Sequence, residues 1–257
     1  MGVYSNSTIH RCSESLRTIG HMKSACDRLH MFLRWNLNRR RLLFAGILSI
    51  IGSVIGMALA DDASRGVSPE EVKRYFDERG KTVVTFVGYS GAGYEDVDRM
   101  IEEARNVLSI HSPKRVIVNI GATVDGVGAV YRLAKEMGFE TTGIVSIQAK
   151  KSNAKISPDV GKVFFVADET WGGFKAGTQT LNPTSRALVL CSDIVVGIGG
   201  GAIARDELIA AKSAGRIVKF IPADKNHKAA IDKARKKNLP VPGEFHGAAF
   251  EVFGKGG

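Results

Sequence analysis

Hydrophobic positions along this chain form short continuous runs that alternate with amphipathic stretches. The runs are rich in β-branched and aromatic residues and lie at 81–87, 115–120, 141–147, 162–166, 191–198 and 216–221. Runs of this length and composition, without strict alternation of apolar and polar residues, are typical of strands that are covered on both faces. The stretches between them have the spacing of amphipathic helices. This alternation predicts an α/β fold with a doubly wound, mostly parallel sheet of about six to seven strands.

Glycine-rich turns follow the first, second and fifth predicted strands. They are Gly88–Gly93, Gly121–Gly128 and Gly199–Gly201. The carboxyl ends of parallel strands meet at one edge of the sheet, where such folds bind their ligands. Glycine allows backbone N–H groups to approach a ligand, and the helix N-terminus after the turn favours an anion. We therefore expect a phosphorylated ligand at this edge. The open alternative is that the glycines serve only the backbone angles of tight turns.

The candidate ligand-binding residues all lie in or beside these turns. They are Gly88, Ser90, Gly91, Gly121, Thr123, Asp125, Gly199, Gly200, Gly201, Ala202 and Arg205. Ser90 suits a phosphate donor and a helix N-cap equally well. Two polar loops reach towards the same edge and are candidates for closing over an acidic ligand. One is 148–158, which contains Lys150, Lys151 and Lys155. The other is 168–183, in which Trp171 or Phe174 is a candidate for stacking on a base, with ordinary packing at the edge as the alternative.

The first sixty residues have a different pattern. Arg39–Arg41 precede an uncharged apolar run, Leu42–Ala60, which ends in Ala-Leu-Ala before Asp61. This order is typical of a signal peptide that is cleaved after Ala60, for Sec export or, by a partial match, for twin-arginine export. It predicts a periplasmic or extracellular protein. An uncleaved membrane anchor is the alternative, because the run is just long enough to span a bilayer.

The chain is therefore divided into three parts. Residues 1–60 form a basic N-terminal segment with a signal peptide or anchor, 61–80 a short helical lead-in, and 81–257 the α/β domain. The formal net charge of +10 arises mainly in the first part, where eight Lys and Arg face two Asp and Glu. We therefore expect no nucleic-acid partner, and a membrane contact only through an uncleaved N-terminal segment.

Cofactor and metal motifs are not found in this sequence. It has no clean dinucleotide fingerprint and no phosphate-binding loop of the Gly-x-x-x-x-Gly-Lys type, so we expect no cofactor. Of the three cysteines, only Cys191 lies in the α/β domain. A single cysteine forms neither an internal disulfide nor a zinc site, so we expect no metal and a buried packing role for Cys191.

Several spaced motifs resemble the SLOG superfamily, which includes the LOG-type proteins once mislabelled lysine decarboxylases. The resemblance covers about Thr82 to Ala223. Its motifs are Gly88-x-Ser90, Gly126-Val127-Gly128, Arg186, Ser192-Asp193, Ile198–Gly201 and Glu207. The resemblance implies a Rossmann-like domain with a crevice for a nucleotide-like ligand, and a homodimer is common in the family. In LOG enzymes the glycine turn binds phosphate, while an arginine and a glutamate support cleavage of a nucleoside 5′-monophosphate into free base and ribose phosphate.

The resemblance makes Arg186 and Glu207 catalytic candidates, with Asp206 competing for the acid–base role. Arg186 also suits an ion pair with Asp193, and Glu207 an ordinary helix carboxylate. The enzyme motif Gly-Gly-x-Gly-Thr-x-x-Glu is incomplete here, because Ile203 and Ala204 replace the Gly-Thr pair.

Three hypotheses follow from these observations. The first is an exported SLOG-like protein that binds a nucleotide-related or other phosphorylated small ligand without efficient hydrolysis. The second is a LOG-like phosphoribohydrolase. The third is a non-catalytic structural or partner-binding domain.

Overall fold

Six strands form the centre of the fold in a computed structural model that describes residues 66–254. They are β1 (Thr82–Gly88), β2 (Val116–Ile120), β3 (Glu140–Ser146), β4 (Lys162–Val166), β5 (Ile194–Ile198) and β6 (Ile217–Ile221). All neighbouring pairs are parallel, and the strand order is β4-β3-β2-β1-β5-β6. The predicted α/β, doubly wound parallel sheet is confirmed. The predicted signal segment and its cleavage site lie outside the described residues.

Eight α-helices accompany the sheet within the described part of the chain. They are α1 (Pro69–Arg79), α2 (Val97–Ser109), α3 (Val130–Glu136), α4 (Gln148–Lys151), α5 (Pro183–Cys191), α6 (Ala202–Ser213), α7 (His227–Lys236) and α8 (Ala248–Phe253). Apolar residues of α2 and α3 pack on one face of the sheet, and those of α1, α5 and α6 on the other. The result is a three-layer arrangement in which both faces of the sheet are covered.

A row of buried polar side chains crosses the middle of the sheet. Thr142 on β3 donates to Asn119 on β2 at 3.1 Å, Asn119 donates to Thr85 on β1 at 3.3 Å, and the Thr85 hydroxyl lies 2.6 Å from that of Ser192. All four side chains are fully buried. Because these groups are paired only when the three strands keep this register, the row penalises a slip of any one strand.

Helix α1 belongs to the same core as the sheet. A capping box between Ser68 and Glu71 begins the helix, and Gly80 ends it in the left-handed region. Val72 and Phe76 are buried, and the Phe76 ring packs against that of Phe164 on β4. The predicted lead-in therefore covers one face of the sheet.

The stretch before β5 differs from the prediction. The sequence pattern begins the fifth strand at Cys191, but Cys191 ends helix α5 and β5 begins at Ile194. Pro183 occupies the first turn of α5, a position where proline needs no N–H donor. The helix escaped prediction because Thr184 and Ser185, two polar residues, lie on its buried side. Cys191 itself is buried, as predicted, and burial raises the pKa of its thiol to about 12.

Within residues 66–254 no helix is long and apolar enough to cross a membrane. The same residues contain no cluster of His, Cys, Asp and Glu side chains arranged to hold a metal ion.

We expect Phe76→Ala to lower the free energy of unfolding by about 3–5 kcal/mol, because it leaves a cavity between α1 and the sheet. Urea unfolding measures this loss. Glu78→Ala is the control, since Glu78 is exposed on the same helix and its removal should change stability by less than about 0.5 kcal/mol. Equal, small effects of both substitutions would contradict the inclusion of α1 in the core.

Candidate functional site

A cavity of about 420 Å³ opens at the carboxyl edge of the sheet, which is the edge predicted to bind a ligand. We call it the Glu207 cavity. Its walls include Gly88, Ser90, Gly121, Thr123, Trp171, Leu188, Ile203, Ala204 and Glu207. The turns after β1 and β2, helices α5 and α6, and the loop before α5 therefore meet here. Five predicted site residues, Gly88, Ser90, Gly121, Thr123 and Glu207, are brought together around one space with the loop candidates Lys155 and Trp171.

Glu207 projects from the second turn of α6 and is the buried carboxyl of this cavity. The residue is 6% exposed. Its Oε1 accepts a hydrogen bond of 2.7 Å from the Ser185 hydroxyl, and Oε2 has no hydrogen-bond partner within residues 66–254. Burial raises the pKa of Glu207 to about 7; the Ser185 hydrogen bond opposes this shift, and the charge of Asp206 adds to it. The group therefore exchanges its proton near neutral pH.

Ser185 links this carboxyl to the loop in front of α5. While it donates to Glu207, its Oγ accepts a hydrogen bond of 2.7 Å from the N–H of Gly173. Ser185 is fully buried. The serine thus holds the carboxyl and the loop in one arrangement.

The loop 168–182 is held in place on both sides of Trp171. Asp168 accepts hydrogen bonds of 2.8 Å from the N–H groups of Thr170 and Thr184. Burial alone would raise the pKa of Asp168, but these N–H groups outweigh it and lower the pKa. Gly173 adopts a φ of +75°, which suits glycine. Trp171 is 51% exposed at the mouth of the cavity, so an ordered loop carries an accessible ring.

Asp206 faces that loop instead of the Glu207 cavity. Its Oδ2 accepts a hydrogen bond of 2.9 Å from the N–H of Phe174, and its Oδ1 accepts two from Arg205, at 2.9 and 2.8 Å. Neither residue lines the Glu207 cavity. In this arrangement Asp206 anchors the loop and Arg205 is its partner, so neither side chain projects into the cavity that Glu207 lines.

The glycines after β5 fall into two groups. Gly199 and Gly200 are buried, with φ values of +53° and +128°. A side chain at Gly199 would meet the Tyr89 ring and one at Gly200 would meet Ala204, each at 2.6 Å. Close packing and backbone angles account for these two glycines. Gly201 and the start of α6, in contrast, line an open surface.

That surface is a groove of about 1090 Å³, which we call the lysine groove. Its walls include Ser90, Gly91, Gly201, Ala202, Lys225, Lys233 and Lys237. It shares Gly88, Ser90, Ile203 and Ala204 with the Glu207 cavity, so the two spaces adjoin. Gly201 supplies no side-chain cap for α6, and the helix therefore presents uncapped N–H groups and its positive end at the junction.

Like Gly199, Gly200, Arg205 and Asp206, two further predicted residues lie outside both spaces. Arg186 forms an ion pair with Glu70 of α1, and both side chains are more than half exposed. It follows Ser185 directly on α5, and neighbouring helical residues point about 100° apart, so Ser185 faces the site while Arg186 faces solvent. The alternative partner Asp193 instead accepts a hydrogen bond from the N–H of Val83. Asp125 is exposed and lines neither space.

Sequence reasoning missed Ser185 and did not include Ile203 among the ligand-binding residues. Ser185 was overlooked because its helix was not predicted, although Pro183 marks the first turn of that helix. Ile203 is 40% exposed at the junction of the two spaces. The signal in the sequence is a large apolar residue that directly follows a glycine turn at the predicted ligand edge.

No protein-family model matches this sequence, and no curated protein matches it. Among solved structures, TM1055, a structural-genomics target, is 24% identical with a TM-score of 0.39, over 53% of this chain and 72% of that one. The molybdenum cofactor carrier protein from Chlamydomonas reinhardtii is 19% identical with a TM-score of 0.40, over 55% of this chain and 76% of that one. The molybdenum cofactor binding protein from the phototrophic bacterium Rippkaea orientalis is 16% identical with a TM-score of 0.41, over 63% and 87%. Because the sequence identities are below 25% and the TM-scores below 0.5, these structures do not indicate what this chain binds.

Glu207→Gln tests the buried carboxyl through the pH dependence of stability. The pKa rises from 4.5 to about 7 on folding, so between these values the native protein binds more protons than the unfolded chain and its stability falls as pH rises. We expect wild type to lose roughly 3 kcal/mol relative to Glu207→Gln between pH 4.5 and 8. Urea unfolding at each pH measures this difference.

The control is Glu78→Gln, because Glu78 is exposed and its substitution should leave the pH profile parallel to that of wild type. A difference between wild type and Glu207→Gln that stays constant across this pH range would show that Glu207 is not the buried titrating group.

Proposed function

We propose that this protein binds a nucleotide-like, phosphorylated small molecule, with its ring in the Glu207 cavity and its phosphate at the N-terminus of α6. One observation carries the proposal. A buried carboxyl, one oxygen of which accepts no hydrogen bond from any residue in the described range 66–254, lines a cavity that adjoins the uncapped start of a helix. A ligand with a polar ring and an anionic group satisfies both features at once.

The phosphate position is supported by the first turn of α6. The uncapped N–H groups and the helix dipole favour a negative charge. Ser90 lies across the junction and offers a hydroxyl donor. Ile203 and Ala204 lack the hydroxyl of the LOG motif, so the backbone supplies the main donors here.

The ring position is supported by the walls of the Glu207 cavity. They are largely apolar, with Ile144, Leu188 and Ala204 among them, and the volume of about 420 Å³ lies in the range of small-molecule sites. Glu207 can donate a hydrogen bond to a ring nitrogen when protonated and accept one when ionised. Trp171 offers an aromatic surface at the mouth.

We also propose export of the protein through its N-terminal segment, either cleaved after Ala60 or retained as an anchor. The support is the order of basic, apolar and small residues in the sequence. A phosphorylated ligand would then be bound outside the cytoplasm.

A second candidate function is hydrolysis of the N-glycosidic bond of a nucleoside 5′-monophosphate, as the LOG resemblance implies. The pKa of Glu207, about 7, favours it, because a carboxyl that titrates near the working pH is suited to proton transfer. Against it, Arg186 is paired with Glu70 on the protein surface. Binding without efficient hydrolysis is therefore the function that the geometry supports best.

The substitution Ile203→Asp tests the ligand position. An aspartate in the first turn of α6 favours the helix itself but repels a phosphate, so we expect the folded protein to persist while binding of AMP weakens by at least about tenfold. Thermal-shift and calorimetric titrations with nucleoside monophosphates measure the effect, since a ligand that binds only the native state raises the melting temperature.

Ile203→Asn is the matched control, because it has the same shape without the charge and should retain most of the affinity. Equal losses in both variants would remove phosphate repulsion as the cause. Failure of every nucleoside monophosphate to stabilise the wild-type protein would refute the proposed function.

Incubation with AMP separates binding from hydrolysis. We expect tight binding with release of adenine no faster than about tenfold above the uncatalysed background, because the arginine of the LOG mechanism is absent from the site. Chromatography of free base and ribose phosphate measures the reaction. Rapid release that is lost in Glu207→Gln would establish the hydrolase instead.

A further inference from the structure

The lysine groove extends well beyond the space that a single phosphate fills. Its volume of about 1090 Å³ exceeds the 420 Å³ of the adjoining Glu207 cavity. The groove begins at the turn after β1 and the start of α6 and continues along α7 to the residues that follow it. A ligand seated in the Glu207 cavity with its phosphate at α6 would leave this extension open.

One face of α7 forms the far wall of the extension. Ala229, Ala230, Lys233 and Ala234 line it, together with Lys237, the residue directly after the helix. Their spacing places them on the same side of a helix. The alanines keep that side free of bulk, so the two lysine side chains border open space. A third lysine, Lys225, joins them from the segment between β6 and α7.

The positive charge of the three lysines in the groove is not neutralised by acidic residues that line it. Within residues 66–254 no acidic residue lines the groove, and the ammonium groups of Lys225, Lys233 and Lys237 form no ion pair with any other residue of that range. Of the carboxylates near these lysines, Asp232 pairs with Lys228 at 3.0 Å, Asp224 lies 3.0 Å from the His246 ring, and Glu95 accepts a hydrogen bond from the N–H of His227. Glu244 is exposed and does not line the groove. Three ammonium groups around one groove repel each other, and an anion among them removes that repulsion.

A helix end accounts for only part of this arrangement. Basic residues in the last turn of a helix stabilise its dipole. Lys233, Arg235 and Lys236 all occupy that turn, but of these three only Lys233 lines the groove. Lys225 lies outside the helix altogether. The dipole therefore does not explain why lysines from two segments converge on the space beside the α6 N-terminus.

We propose that the lysine groove binds additional phosphate groups of the ligand, so that the protein prefers a nucleoside di- or triphosphate, or a similarly polyanionic nucleotide, to a monophosphate. The inference rests on the proposed function, because the first phosphate is placed at the junction of the two spaces. Lys225, Lys233 and Lys237 then contact the phosphates beyond it. Charge-assisted hydrogen bonds from lysine to phosphate are suited to this role.

Calorimetric titration of the full chain with AMP and with ATP, at fixed ionic strength and without Mg²⁺, tests the inference. We expect ATP to bind at least about tenfold more tightly than AMP, since each charge-assisted hydrogen bond contributes about that factor. In the double variant Lys233→Gln/Lys237→Gln this preference should fall to within about threefold, while the affinity for AMP is retained.

Arg235→Gln/Lys236→Gln is the matched control, because it removes the same charge from the same helical turn outside the groove. It should keep the preference for ATP. Equal binding of AMP and ATP to wild type, or an equal loss of preference in both double variants, would overturn the groove assignment and leave the monophosphate site intact. If neither nucleotide binds to wild type, the groove assignment and the proposed function both fail.

Discussion

The reversal of strand order at β1 is the constraint on which the site depends. The chain moves outwards from β1 through β2 and β3 to β4 and then returns to place β5 on the other side of β1. Helices that follow β1 and β5 consequently lie on opposite faces of the sheet. Neither covers the carboxyl edge between them, so a crevice opens there. The turns after these strands and the return segment 168–182 all meet at that crevice.

The return segment also explains how a carboxyl can be buried at this edge. Burying Glu207 beside an open cavity is unfavourable unless the group is protonated or hydrogen-bonded. Ser185 supplies one hydrogen bond and is itself held by the N–H of Gly173. Asp206, next to Glu207 on α6, holds the same loop through Phe174. Of these two adjacent residues of α6, Asp206 therefore anchors the loop, and Glu207 faces the cavity proposed to bind the ligand.

The strands and their common edge could be predicted from sequence, because strands buried on both faces leave short runs rich in β-branched and apolar residues. Helix α5 could not, since two of the residues it buries, Thr184 and Ser185, are polar and its apolar end continues towards β5. Glycines presented a second difficulty: Gly200 is required by its φ of +128° and by contact with Ala204, and such a glycine resembles one that a ligand requires. Arg186 shows a third difficulty: when a helix is not predicted, the sequence does not reveal which side of that helix a residue occupies.

The central claim is that a phosphorylated ring compound binds where the turn after β1 meets the start of α6. A crystal structure of the protein with a saturating nucleoside monophosphate tests it most directly. We expect phosphate density within hydrogen-bond distance of the first N–H groups of α6, and ring density between Trp171 and Glu207. Density for the nucleotide at any other surface, or an empty junction at saturating concentration, would contradict the claim.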